Sequence, residues 1–175
     1  MYTIVGDRMD FFWDTERIFD LVSYKTGVQA KNMTQPKEQG EMDYIVTDDN
    51  KEYVMEALRP AFVKLFEFFL DIAYPEPNVL YVSRPDANLG IFVSGFAVVC
   101  RRGVDGEVIV GEQRINSISS LCQEYLVAQV VSRWCDDNRL GEFQAANKAE
   151  IAEIERKLVK NVSYLKKRGY MNSFS

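Results

Sequence analysis

Between Ile118 and Asp137 the chain reads ISSLCQEYLVAQVVSRWCDD, and its apolar residues are too many for one side of a helix. Leu121, Cys122, Tyr125, Leu126, Val127, Ala128, Val130, Val131 and Trp134 occupy most helical directions, the pattern of a helix covered on several sides. Other elements must therefore pack around it. Asn116 or Ser117 is placed to cap its first turn, and Asp136-Asp137-Asn138 ends the apolar run.

A chain of 175 residues, 47% hydrophobic and 27% charged, suits one domain with a real core spanning residues 1 to 175. No run approaches the ~20 apolar residues that cross a bilayer, and MYTIVGDRMD lacks the order of a signal peptide, so no membrane role and an intracellular setting are expected. Cys100, Cys122 and Cys135 are odd in number with no Cys-x-x-Cys spacing, which points to buried free thiols. The chain contains no histidine, which removes the commonest general base and disfavours a zinc site.

Charge is unevenly placed. From Arg156 to Ser175 there are six basic residues and no acid, so the net charge of −5 leaves 15 basic against 26 acidic residues, or −11, in the remainder. An acidic body with a basic end suits head-to-tail contact between copies of one chain. Alternatively, Lys166, Lys167 and Arg168 simply neutralise the C-terminal end of a helix.

Taken from the start, Asp10 to Lys25 predicts a first helix with Asp10 as cap and Phe11, Ile18 and Val22 along its buried face. Its aromatic turn, Phe11-Phe12-Trp13, either fills the core or forms an exposed patch for a partner. Residues 26 to 47 read as a long loop. Asp49 with Glu52 forms a capping-box pattern for a second helix over Asn50 to Ala73, and Pro60 inside it predicts a kink or two helices meeting at Arg59.

Residues 79 to 113 read as β structure. Val79 to Val82 is expected as a short strand, Gly90 to Cys100 as a longer one, and Glu107 to Val110 as its hairpin partner across an Asp105-Gly106 turn. Both faces of the longer strand are apolar, so part of it is expected to meet another subunit. Glu142 to Arg168 is a long amphipathic helix with Ile151, Ile154, Leu158, Val162 and Leu165 on one side, stopped by Gly169 before a tail at 170 to 175. The fold class is α+β, mainly α: a helical bundle of about four long helices with an inserted β-hairpin.

The catalytic inventory is thin, with no glycine-rich phosphate loop and no nucleophile elbow around Ser94. Asp48-Asp49 and Asp136-Asp137 are carboxylate pairs, yet both sit at helix boundaries where aspartate serves as a cap. Cys100 beside Arg101 and Arg102 invites a lowered thiol pKa but has no base in sight. Neither a cofactor, a metal nor an enzymatic activity is expected, which shifts the weight toward an interaction protein.

In element order, TDDNKEYVMEAL at Thr47 to Leu58, the Pro-terminated helix, the hairpin, QEYLVAQVVSRWC and EIAEIERKL with its basic end resemble the head-to-tail connector (neck ring or adaptor) proteins of tailed bacteriophages. The resemblance covers about Asp43 to Arg168 and rests on order and texture, without an invariant motif; the N-terminal aromatic segment and the 26–47 loop are additions to the family pattern. It implies a virion structural protein in the neck, assembled in the bacterial cytoplasm as a homo-oligomeric ring, commonly twelve-fold. Its partners would be the portal protein and other neck or tail proteins, with DNA passing through the lumen unbound. Expected contact residues are Phe92 and Phe96 on the hairpin, Arg101 and Arg102 near its tip, and Lys166, Lys167 and Arg168 at the basic end. The competing readings are a small protein-binding regulatory module and, further off, a carboxylate-metal enzyme.

Overall fold

A computed structural model describes residues 2–5, 8–33, 44–73, 81–86, 91–101 and 112–167. Strands β1 (Tyr2–Val5) and β2 (Arg8–Asp14) lead into helix α1 (Thr15–Lys31); α2 (Lys51–Glu67) follows, then β3 (Tyr81–Asp86), β4 (Ile91–Arg101), α3 (Glu112–Asp137) and α4 (Gly141–Lys167). The fold is α+β and mainly α. The four strands form one antiparallel sheet in the order β1-β2-β4-β3.

The N-terminal segment departs from its helical expectation. Met9, Phe11 and Trp13 alternate toward the core, a period of two that makes Arg8–Asp14 a strand paired along its length with β4. The helix begins only at Thr15. Asp14, not Asp10, is its cap, accepting the Glu16 amide at 2.9 Å. Phe11, Phe12 and Trp13 are all buried, so no aromatic patch is left there for a partner.

Helix α1 also runs six residues into the segment expected as a loop, as far as Lys31, because Thr26 and Ala30 continue its buried face. Thr26 ties the two ends of that segment together: its hydroxyl donates to the Val22 carbonyl at 3.0 Å and accepts the Val46 amide at 3.1 Å. The start of α2 is a single 3-10 turn, Asp48–Asn50, held by Asn50 Oδ1 accepting the Thr47 amide at 2.9 Å, in place of the Asp49 and Glu52 pairing.

Pro60 lies inside α2, which continues unbroken past it, so the chain does not split at Arg59. The α-helix closes at Glu67 and passes into turns as far as Ile72; its stripe of Val54, Leu58, Phe62 and Leu65, with Phe69 just beyond, is buried.

The hairpin is β3 with β4, two to four residues later in sequence than the first expected strand. The partner expected at Glu107–Val110 and the Asp105-Gly106 turn lie outside the described residues, and among those described β4 has β2 on one side and β3 on the other. Helix α3 starts six residues before Ile118, since Ile115 is buried and extends the covered face. Asn116 and Ser117 are thus internal; Ser117 Oγ bonds back to the Gln113 carbonyl at 2.9 Å.

Helix α3 is the axis of the bundle, touching α1, α2 and α4. The sheet reaches it through Trp13, whose indole N–H donates to the Ser119 carbonyl at 3.0 Å. Behind that contact, Phe11 stacks on Trp13, and Phe62 of α2 stacks on Phe96 of β4 with centroids 4.8 Å apart. The turn into α4 is a Schellman closure: Arg139 takes φ 57°, the Leu140 amide reaches the Cys135 carbonyl at 2.8 Å, and the Arg139 amide reaches Asp136 at 3.2 Å. Leu140 is buried where such a motif places an apolar residue.

Candidate interaction surfaces

The first surface is the free end of the hairpin. Residues on the core-facing side of β4 run from Cys100 and Val98 through Phe96 to Ser94 and Phe92, and burial ends along that series. Strand β2 reaches only as far as Gly95, opposite Asp14, so β3 and the first residues of β4 extend beyond it. Phe92 is 73% exposed, and Pro85, its register partner on β3, is exposed on the same face.

The arm is stiffened from the opposite face of the sheet. Arg84 donates to both oxygens of Asp10 at 2.9 and 3.0 Å, and its guanidinium lies 5.0 Å from the Phe12 ring centroid. Gly95 is required underneath: a Cβ there would run into the Trp13 carbonyl and sit 2.8 Å from the edge of the Phe12 ring.

A groove of about 310 Å³ between α1, α3 and α4 is the second surface. Leu21, Tyr24 and Val28 line it from α1 at a spacing of three and four, Val127 comes from α3, and Gln123, Glu124, Lys25 and Glu150 supply its polar lining. Lys25 and Glu150 form an ion pair at 2.6 Å from α1 to α4. Deeper between the same helices, Gln29 donates to Asn147 at 2.8 Å, Asn147 to the Cys135 sulfur at 3.4 Å, and Cys135 to Gln29 at 3.3 Å, a closed triangle. Burial, together with the neighbouring Asp136, raises the Cys135 thiol to about 11 despite the Asn147 hydrogen bond, so it sits there as a neutral thiol.

The residues expected at a subunit contact are not gathered together. Phe92 is exposed, but Phe96 is only 3% exposed and belongs to the core between Phe62 and Tyr81, which corrects its assignment. Arg101 ends β4 opposite Arg8, at the far end of the strand from Phe92; the Asp105-Gly106 tip that it was expected to flank lies outside the described residues. Lys166 and Lys167 are the last residues of α4. Arg102 and Arg168 lie outside the described residues.

Chemistry-bearing groups give no reactive arrangement among the described residues. Burial pushes the Cys100 thiol well up, the reverse of the lowering that neighbouring arginines suggested, and Cys122 is raised likewise. No group of three potential metal ligands occurs among the described residues. Asp48 and Asp49 are exposed in a helical turn, and Asp137 accepts the Tyr53 hydroxyl at 2.7 Å. No described helix is long and apolar enough to cross a membrane. Compared with protein-family models, curated proteins and solved structures, the chain finds no match.

Sequence reasoning missed the groove. Its signal was the Leu21, Tyr24 and Val28 stripe, on a different side of α1 from buried Ile18, Val22 and Thr26.

Proposed function

We propose that this chain is a virion structural protein, one subunit of a neck ring that joins the portal of a bacteriophage head to its tail and lets DNA pass. The observation that carries the reading is the hairpin end: a braced two-stranded arm leaves a well-filled helical body and presents Phe92 and Pro85 to solvent. A solitary domain gains nothing by holding a large aromatic out on a rigid arm, whereas a subunit among copies of itself has a use for one. The acidic body and basic final segment agree with this, and an acidic lumen would let DNA slide without phosphate contacts.

Light scattering after size-exclusion chromatography tests it, on the chain alone and mixed with a portal protein from the same genome. The expected result is a closed ring, formed alone or on the portal. A monomer at all concentrations that ignores portal protein would sink the reading.

A further inference from the structure

We infer that the groove between α1, α3 and α4 receives the Phe92 and Pro85 pair of a second copy of this chain, which makes the contact head-to-tail. The inference rests on the ring reading and deepens it by assigning both sides of the joint. One molecule carries an exposed apolar projection and, on other elements, an apolar hollow. Such a pair generates a heterologous contact, which closes into a ring when the rotation allows.

Size and shape favour this occupant. At about 310 Å³ the hollow lies at the small end of ligand-sized pockets, roughly 300–1,000 Å³, so it suits an aromatic ring and one neighbouring side chain better than a whole helix. Phe92 and Pro85 are such a unit, directly opposite each other on two paired strands. Pairing through the edge of β3 is disfavoured, because Pro85 offers no backbone N–H for an added strand. The arm therefore engages through its side chains. On the receiving side, Tyr24 is 73% exposed and Val28 is exposed beside it, an unsatisfied apolar wall above buried Val127.

The test uses complementary variants, Phe92→Asp on the arm and Tyr24→Glu with Val28→Glu in the groove, run alone and with portal protein. All three positions are solvent-exposed, and unchanged circular dichroism and melting will establish that the fold is intact. Each variant alone should associate roughly 30-fold or more weakly than wild type, the measure of losing an aromatic hot spot. Mixed one to one, they should form a dimer and stop, because each retains one sound surface.

Cysteine pairing supplies a second readout, since Cys100, Cys122 and Cys135 are buried and will not compete. The variant carrying both Ser83→Cys, exposed beside Pro85 on the arm, and Glu124→Cys, exposed on the groove wall, keeps Phe92, Tyr24 and Val28 in place and should oxidise to a ladder of linked subunits, whereas Ser83→Cys alone should not link. Arm or groove variants that assemble like wild type, a mixture that stays monomeric, or linking of Ser83→Cys to itself would overturn the pairing while leaving the ring intact. Portal binding that needs the groove and not Phe92 would give the groove to the portal and also overturn it. A wild-type chain that never assembles would remove both the ring and this joint.

Discussion

Helix α3 and the β3–β4 arm are both rich in apolar residues, yet one is enclosed and the other is partly bare. Around α3, residues from Ile115 to Cys135 are buried in several directions because α1, α2 and α4 each cover part of its circumference. Along β4 the same apolar texture is buried only as far as Phe96, where α2 supplies Phe62 as cover. Beyond Gly95 the strand continues without β2 beside it, and Phe92 meets solvent. Hydrophobic composition says that a segment wants cover; the reach of its neighbours decides whether it receives any within one chain.

The contrast can be broken at its strongest point first. Trp13→Ala should destabilise by ~3–5 kcal/mol in urea unfolding, because its indole is 1% exposed, touches Phe11 and Phe62 and fastens the sheet to Ser119. Gly95→Ala should cost ~1–3 kcal/mol, because the new methyl group meets backbone at Trp13 and the Phe12 ring; a neutral result would mean that the arm is not braced as described.

Arg139→Gly should act in the opposite direction, raising stability by up to ~1 kcal/mol in the same assay, since arginine is held at φ 57° where glycine is unstrained. Phe92→Ser should change monomer stability by no more than ~0.5 kcal/mol while weakening assembly, which separates the arm from the interior most sharply.

Alkaline titration sharpens the comparison from another side. Two thiols and a phenol on α3 itself are held protonated by burial: Cys135 at about 11, Tyr125 at about 12, and Cys122 well above its ordinary 9.0. Their pKa values are raised in the folded state, so their contribution is complete below about pH 9 and is lost as pH climbs toward and past 11. The urea midpoint should therefore fall steadily from pH 9 to 11. With no histidine in the chain it should stay nearly level from pH 6 to 8.

Much of the helical body was legible in the sequence because its signals are local and long. The apolar girth of α3 and the Ile151, Ile154, Leu158, Val162 stripe of α4 span many turns, and the structure buries or half-buries those residues. The N-terminal strands were not legible in the same way. Phe11, Ile18 and Val22 satisfy helical spacing, while Met9, Phe11 and Trp13 satisfy strand spacing, and the partner that decides between them, β4, lies more than 80 residues away.

Phe96 and Phe92 illustrate the limit within a single strand. They are chemically identical and share a face, but one lies against Phe62 and the other stands beyond the cover, a distinction that depends on where α2 happens to end its reach. The groove was hidden for a related reason: its walls come from three helices, and only the α1 stripe leaves a trace in the linear chain.

The closed triangle of Gln29, Asn147 and Cys135 has a mechanical corollary. Its three members are uncharged and each both gives and accepts, so sliding α1, α3 or α4 along a neighbour would break at least two contacts at once. The inner side of the concavity is thus framed by contacts that neither mild alkali nor added salt loosens, like a mould already set before anything is pressed into it.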